Sequence, residues 1–148
     1  MTIYKRIDKI LAAFGNIKAL ERTHIDTHTE ALIQNIPGDK IAESKDGQFW
    51  GKVQNLAGFY FLETIILSRT NIKTVKGGKL YLKGKDNSLT IDSDTKEIAS
   101  DYSNISKRWM TRVSYIVSKE EIKYLNEHIA DEITFQYKRK SILFKVIK

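Results

Sequence analysis

The strongest constraint on the fold is a series of short alternating segments that begins near residue 59 and is interrupted by tight turns. Residues 79–83 show it most clearly, because Leu80 and Leu82 fall on one face of an extended chain. The opposite face of this segment carries Lys79, Tyr81 and Lys83. Similar patterns predict further strands over 61–68, 72–76, 88–92 and 97–100. Such closely spaced strands leave no room for crossover helices, so they predict an antiparallel meander.

Helical spacing precedes this β-rich region. Apolar residues recurring at helical intervals predict an amphipathic helix within the first 17 residues: Ile3, Ile7, Ile10, Leu11, Phe14 and Ile17. Residues 24–36 predict a second helix, which the turn-forming pair Pro37 and Gly38 ends. Residues 44–60 also have helical spacing and predict a third helix. Three glycines disfavour this helix, because each weakens a helix by about 1 kcal/mol relative to alanine: Gly47, Gly51 and Gly58.

The last third of the chain adds a strand, a helix and a hairpin. Residues 108–117 alternate over a longer distance than any other segment and predict a strand. Ser118 and Glu121 form the sequence pattern of a capping box, which predicts the start of a helix over about 119–129. Residues 133–137 and 141–147 then predict a closing hairpin that turns over residues 138–140.

These elements predict an α+β fold in one domain spanning residues 1–148. Residues 1–58 form a mainly helical part, and residues 59–148 form a β-rich part. The strands follow one another directly, so the sheet is expected to be antiparallel and twisted, either open or as a partly closed barrel. A chain of 148 residues, 41% of them hydrophobic, is long enough to bury a core.

The net charge of +7 is unevenly distributed along the chain. Residues 1–50 are neutral by count, whereas residues 51–100 and 101–148 carry net charges of +3 and +4. Residues 69–85 contain six basic side chains and no acidic one. A basic strand face that also carries an aromatic ring is suited to an acidic partner. We therefore predict a partner-binding surface formed by Lys79, Tyr81, Lys83, Lys85, Lys138, Arg139 and Lys140.

One segment has spacing suited to a metal site. His24 and His28 share a face of a helix, and in an extended segment Asp26 joins them on one face. Two imidazoles and one carboxylate can hold zinc or iron. The glutamate of the His-Glu-x-x-His signature is missing, however, and surface or capping roles are common for such histidines. The chain has no cysteine, which excludes thiolate ligands, disulfides and cysteine nucleophiles.

Other catalytic patterns fail on spacing. Gly78 and Gly84 are separated by five residues where a phosphate-binding P-loop needs four, and Asp86 replaces the serine or threonine that would follow. The acidic pair Asp92 and Asp94 lies where a strand meets a turn, which explains both residues structurally. The first residues lack the uninterrupted apolar run of a secretory signal, so a cytoplasmic protein without membrane contact is expected.

Three functions therefore remain open. The first is a non-enzymatic binding or adaptor domain that engages a protein or other acidic partner through a basic sheet face, with no cofactor. The second is a protein that binds nucleic acid without sequence preference through the same face. The third is a metal-dependent enzyme that uses His24 and His28.

Overall fold

A nine-stranded antiparallel sheet makes up most of the part of the chain that the structure, a computed structural model, describes: residues 27–127 and 129–148. Helix α1 covers residues 27–34. The strands are β1 (Asp39–Glu43), β2 (Gln48–Leu56), β3 (Phe59–Ser68), β4 (Lys73–Thr74), β5 (Lys79–Lys83), β6 (Ser88–Asp92), β7 (Ile98–Ala99), β8 (Asp101–Ser103) and β9 (Arg108–Val117). Helix α2 (Lys119–Asn126), β10 (Glu132–Tyr137) and β11 (Lys140–Val146) complete the chain.

The order of strands in the large sheet differs from their order in sequence. Across the sheet the order is β6-β5-β10-β11-β1-β2-β3-β9-β8, and β4 and β7 form a separate two-stranded sheet. The C-terminal hairpin β10–β11 therefore inserts between β5 and β1. On one side Phe135 pairs with Leu80, and on the other Val146 pairs with Ala42. Every pair of adjacent strands is antiparallel, as the closely spaced strand pattern predicts.

The core follows from strict alternation along the strands. In β5, Leu80 and Leu82 are buried, and the side chains that alternate with them, those of Lys79, Tyr81 and Lys83, are exposed. In β10, Ile133, Phe135 and Tyr137 are buried in the same way. Side chains from every long strand meet in one cluster, which includes Phe49, Leu62, Leu80, Val113, Tyr115, Phe135 and Phe144. The hydrophobic effect of this burial holds the sheet in its register, since a slip of one residue would expose the whole set.

The sheet curls but does not close into a barrel. After the edge strand β6, the backbone N–H groups of Asp94 and Thr95 donate to the carbonyl of Ser114 in β9 at 2.8 and 3.3 Å. The chain from one edge of the sheet thus reaches a strand next to the opposite edge. The edge strands β6 and β8 are not paired with each other, so of the two predicted alternatives the open sheet is the one observed.

Helix α1 packs on the opposite face of the sheet from the main core. Ile33 belongs to a second cluster with Leu67 and Met110. Their chain neighbours Ile66 and Thr111 pair with each other and are buried on the other face of the sheet, because successive side chains of a strand alternate. The helix is also held by a hydrogen bond that Ser103 Oγ donates to Glu30 Oε2 at 2.5 Å. The prediction of a helix within 24–36 is thus confirmed for residues 27–34. The amphipathic segment of residues 1–17 lies outside the described residues.

The predicted helix over 44–60 is wrong. These residues form most of the β2–β3 hairpin and the turn before it, so strands begin at Asp39 and residues 27–58, the described portion of this part, are not mainly helical. The hairpin turns at Ala57 and Gly58, which have φ angles of +52° and +85°. Such left-handed values match the twist of a two-residue hairpin, and glycine adopts them without strain. The three glycines that weakened the helical interpretation were therefore the informative residues.

Several other predictions are confirmed at the level of individual elements. The strands over 79–83, 88–92 and 108–117 occur with those bounds, and the C-terminal hairpin occurs as β10 and β11. The capping box is present, because Ser118 Oγ accepts from the Glu121 N–H and the Glu121 carboxylate accepts from the Ser118 N–H. Helix α2 ends at Asn126, short of 129, because the chain must turn back for Asp131 N–H to donate to the Lys83 carbonyl at 2.7 Å.

Removal of the Phe135 ring is expected to destabilise the protein strongly. Phe135 is fully buried and belongs to β10, the strand between β5 and β11. Phe135→Ala should therefore lower the free energy of unfolding by about 3–5 kcal/mol through lost burial and a residual cavity. Urea denaturation followed by tryptophan fluorescence measures this change. Leu143→Ala is the control in the same hairpin, because Leu143 is 48% exposed and its loss should cost about 0.5 kcal/mol or less. Equal losses in the two variants would contradict the assigned burial.

The contact between α1 and β8 predicts a pH effect. Burial by itself would raise the pKa of Glu30, but hydrogen bonds from Ser103 and Gln34 and the charge of Arg108 outweigh it and lower that pKa. Stability from this carboxylate is therefore complete above its unfolded pKa and lost as the pH falls through the lower folded pKa. In Ser103→Ala the pKa of Glu30 should rise, and the loss of stability seen at pH 7 should become smaller in acid. A carboxyl-carbon NMR titration measures the pKa, and an unchanged value would refute the contact.

Candidate basic binding site

Strand β5 presents a row of polar side chains on the outer face of the sheet. Lys79, Tyr81 and Lys83 are exposed there, and we call these three residues the basic face. The neighbouring strands place small polar residues beside the ring, because Tyr81 pairs with Thr90 on β6 and with Thr134 on β10. The Tyr81 side chain is 36% exposed. The ring is therefore open to a ligand, with a lysine on each side along the strand.

One end of the basic face opens into a cavity of about 340 Å³, which we call the basic cavity. It lies where the turn before β5 meets the end of β6 and the turn after β10. Its charged lining residues are Lys76, Lys79, Lys96, Lys138 and Asp92. Its other lining residues are Gly77, Gly78, Tyr81, Gln136 and Tyr137. Residues distant in sequence thus converge on one concavity.

Two glycines allow the chain to form one wall of this cavity. Gly77 has a φ of +74°, and a Cβ atom there would lie 2.7 Å from Ser93 Oγ. At Gly78 a Cβ atom would lie 2.6 Å from the Phe135 ring and 2.9 Å from the Gln136 carbonyl oxygen. The turn is held by hydrogen bonds that Gly77 N–H donates to the Lys96 carbonyl and Gly78 N–H donates to Ser93 Oγ. The wall is therefore fixed backbone, and its amides are already occupied.

The charge around the basic cavity is strongly positive. Four lysines and one aspartate give it a local charge of +3 by count. Of these lysines, Lys96 is positioned by a hydrogen bond that its Nζ donates to the Ser93 carbonyl at 2.8 Å. The ion pairs found among the described residues lie elsewhere: Lys40–Glu43, Arg69–Asp46, Lys123–Glu127 and Lys148–Asp131. A concave site with several like charges attracts an anion more strongly than the same charges spread over a flat surface.

The structure brings together only some of the residues predicted from sequence. Lys79, Tyr81 and Lys138 line the basic cavity. Lys83 lies at the far end of β5, where it pairs with Glu132 and Ser88. Arg139 and Lys140 are exposed near the same hairpin turn as Lys138 but do not line the cavity.

Lys85 also lies away from the basic cavity. It follows β5 at the end opposite Lys79, and its charge acts on Asp131. A hydrogen bond from Lys148 is the main cause that lowers the pKa of Asp131, burial opposes it, and the charges of Lys148 and Lys85 add to the lowering. Lys85 is therefore near a carboxylate at the end of β5 opposite the cavity, whereas at the cavity end Lys79 is paired across the strands with Asp92.

Sequence reasoning missed two lysines and the glycine turn. Lys76 and Lys96 belong to turns that are separated by 20 residues, and the contact of these turns through Gly77 and Lys96 is tertiary. Gly77 and Gly78 were interpreted only as the end of a strand and as a failed P-loop. The one usable signal was local: Lys76 directly precedes two glycines that directly precede Lys79.

The predicted metal site cannot be assembled from described residues. His28 lies in α1 and is exposed, whereas His24 and Asp26 lie outside the described residues, as does His128. Within residues 27–127 and 129–148, no three histidine, aspartate or glutamate side chains gather closely enough to hold a metal ion. In the same part of the chain, no helix has the length and apolar character needed to cross a bilayer.

Comparison with known proteins does not add a family to this picture. Neither the protein-family models, nor the curated proteins, nor the solved structures include a significant match to this chain. The functional argument therefore depends on the geometry and charge of the site.

A methyl group at residue 78 is expected to disturb both stability and the cavity. In Gly78→Ala the new Cβ would clash with Phe135 and with the β10 backbone, so the free energy of unfolding should fall by roughly 1–3 kcal/mol. Gly58→Asn is the comparison, because residue 58 has open space around it, so the substitution adds only backbone strain at a φ of +85°, which asparagine bears better than most side chains, and its loss of stability should be the smaller one. Thermal denaturation compares the two variants. The close packing of Gly78 would be disproved if both melted at the wild-type temperature.

Proposed function

We propose that this protein is a non-enzymatic binding or adaptor domain that engages an acidic partner through the basic face and the adjoining basic cavity. The observation that carries this proposal is the convergence of Lys76, Lys79, Lys96 and Lys138 on one concavity beside the exposed ring of Tyr81. These lysines come from three separate turns or strand ends. Only tertiary packing places them together.

The balance of charge favours an external anion as the partner of these lysines. Four basic side chains elsewhere in the described part of the chain form ion pairs with carboxylates, including Lys40 with Glu43 and Lys123 with Glu127, and none of the four lysines of the basic cavity is in these pairs. The lining of the basic cavity holds a single carboxylate, that of Asp92, against four ammonium groups. Uncompensated repulsion between like charges costs free energy, and a bound anion would relieve it.

Nucleic acid is the second candidate for the acidic partner. It is favoured by one observation, namely that Tyr81 lies exposed between Lys79 and Lys83 on the same strand face. Lysines can neutralise phosphates while the ring stacks on a base, which is how many proteins bind single strands without sequence preference. Binding of this kind weakens steeply as salt concentration rises.

Charge reversal on the basic face tests the proposed function. The triple variant Lys79→Glu, Lys83→Glu and Lys138→Glu should weaken binding to heparin and to polyglutamate by at least about tenfold, as measured by fluorescence anisotropy with labelled polymers. The control is Lys45→Glu, Lys52→Glu and Lys119→Glu, which changes the net charge by the same amount at exposed sites elsewhere. Circular dichroism checks that both variants are folded.

The pattern of losses separates the possible outcomes. A loss confined to the first triple variant supports the basic face as the binding surface. An equal loss in both variants shows that net charge alone drives binding, which overturns the proposal. A labelled single-stranded oligonucleotide distinguishes the second candidate, because its binding should depend on the same three lysines and fall sharply between about 50 and 200 mM salt.

A further inference from the structure

We infer that the basic cavity binds a compact ligand carrying two or more linked phosphate groups, of the nucleoside diphosphate class, with the Tyr81 ring against the aromatic base. This inference rests on the proposed function and specifies the chemistry of its partner. Four features support it: the size of the cavity, the fixed glycine wall, the concentration of charge at one end of β5, and the exposed Tyr81 ring at the cavity margin.

The size of the cavity suits a small molecule. A volume of about 340 Å³ lies within the range typical of ligand pockets, roughly 300–1,000 Å³. The wall formed by Gly77 and Gly78 is anchored at both ends, by the Lys96 carbonyl on one side and the Ser93 hydroxyl on the other. A further hydrogen bond, from Ser93 Oγ to the Thr95 carbonyl at 2.7 Å, holds the serine in place. This wall is therefore preformed, which reduces the cost of ordering the site around a ligand.

The lysine arrangement favours several negative charges close together. Lys76 and Lys79 flank the glycine turn in sequence, Lys96 is held beside it, and Lys138 reaches the same place from the β10–β11 turn. A monovalent anion would leave most of this charge uncompensated, since the cavity carries +3 by count. Two linked phosphates supply a comparable negative charge within a few ångströms. Their oxygens also accept charge-assisted hydrogen bonds from ammonium groups.

The same arrangement argues against an extended polyanion as the ligand of the cavity. The next lysine along the strand, Lys83, lies about 13 Å from Lys79 at the usual strand rise. Each of the two has one acidic cross-strand neighbour, Asp92 for Lys79 and Glu132 for Lys83, so the Lys79 end is distinguished by the three further lysines that line the cavity. Lys85 is farther along and acts on Asp131. Between the two ends, the outer-face neighbours of Tyr81 are the neutral residues Thr90 and Thr134. The charge is thus a cluster at one end and not a continuous track for a polymer backbone.

Tyr81 selects among phosphate-bearing ligands. Its ring lines the cavity and remains 36% exposed. The side chains paired with it across the strands, those of Thr90 and Thr134, are small. An aromatic base bound next to the phosphates would stack on this ring, and stacking adds affinity that an inorganic diphosphate cannot gain. Gln136, which pairs with Lys79 and also lines the cavity, supplies an amide for polar contacts with the ligand.

Calorimetric titration of the full chain with ADP and with pyrophosphate, without added metal and at physiological ionic strength, tests the inference. Both should bind, with ADP the tighter of the two. The double variant Lys79→Gln and Lys138→Gln should weaken both by at least about tenfold. The matched control is Lys45→Gln and Lys119→Gln, which removes two charges at exposed sites outside both the basic cavity and the basic face. It should change either affinity less than about twofold.

Tyr81→Leu provides the second measurement, because it should weaken ADP by about tenfold and leave pyrophosphate unchanged. The inference is wrong if neither ligand binds the wild-type protein, or if the control loses as much affinity as the cavity variant. It is also wrong if Tyr81→Leu leaves ADP binding unchanged, since the nucleoside would then make no use of the ring. Each variant is checked for its thermal unfolding temperature.

Failure of this inference is distinguishable from failure of the proposed function. If ADP and pyrophosphate do not bind but heparin still depends on Lys79, Lys83 and Lys138, the protein engages an acidic polymer across the basic face and the cavity is not a diphosphate site. If binding of heparin and polyglutamate is also independent of these lysines, both proposals are overturned together.

Discussion

Insertion of the C-terminal hairpin between β5 and β1 is the interaction on which the rest of the structure depends. Strand β10 pairs with β5 over five residues, and β11 pairs with β1 at the other side. Without this hairpin the large sheet would divide into β5–β6 and a five-stranded remainder. The hairpin also contributes Phe135, Tyr137 and Phe144 to the core. The last residues of the chain therefore hold together strands that lie about 35 residues or more apart in sequence.

The basic cavity is a direct consequence of the same insertion. The pairing of Gln136 with Lys79 sets the register of β10 on β5, and this register brings the turn that contains Lys138 beside the Gly77–Gly78 turn. Phe135 links core and site, since its ring packs against Gly78 on the wall of the cavity. A change of register by one residue would move the lysines apart and would also expose the apolar side chains of β10. Core packing thus holds together charges that repel one another.

Local sequence patterns predicted an element correctly where its residues matched either the strand period or the helix period and not both. The alternating segments 79–83 and 108–117 are strands in the structure, and the Ser118–Glu121 capping box is the start of a helix. Residues 44–60 were misinterpreted because Phe49, Val53, Leu56 and Tyr60 have helical spacing by coincidence. Pairing with β1 and β3 overrides that spacing, and the Ile41 side chain comes close to Gly51. Periodicity cannot report such a contact, because Ile41 and Gly51 meet only after β1 and β2 have paired.

For the candidate site too, the sequence predicted some residues and only the tertiary structure showed the others. Alternation in β5 was enough to place Lys79, Tyr81 and Lys83 on one exposed face, because successive side chains of a strand point to opposite sides. The sequence by itself also determined that positive charge accumulates after residue 50. Only the tertiary structure decided which of those charges meet, joining Lys76, Lys96 and Lys138 to Lys79 and leaving Lys85 beside Asp131. The physical reason is that strand order and register are set by burial across the whole sheet, which no local segment encodes.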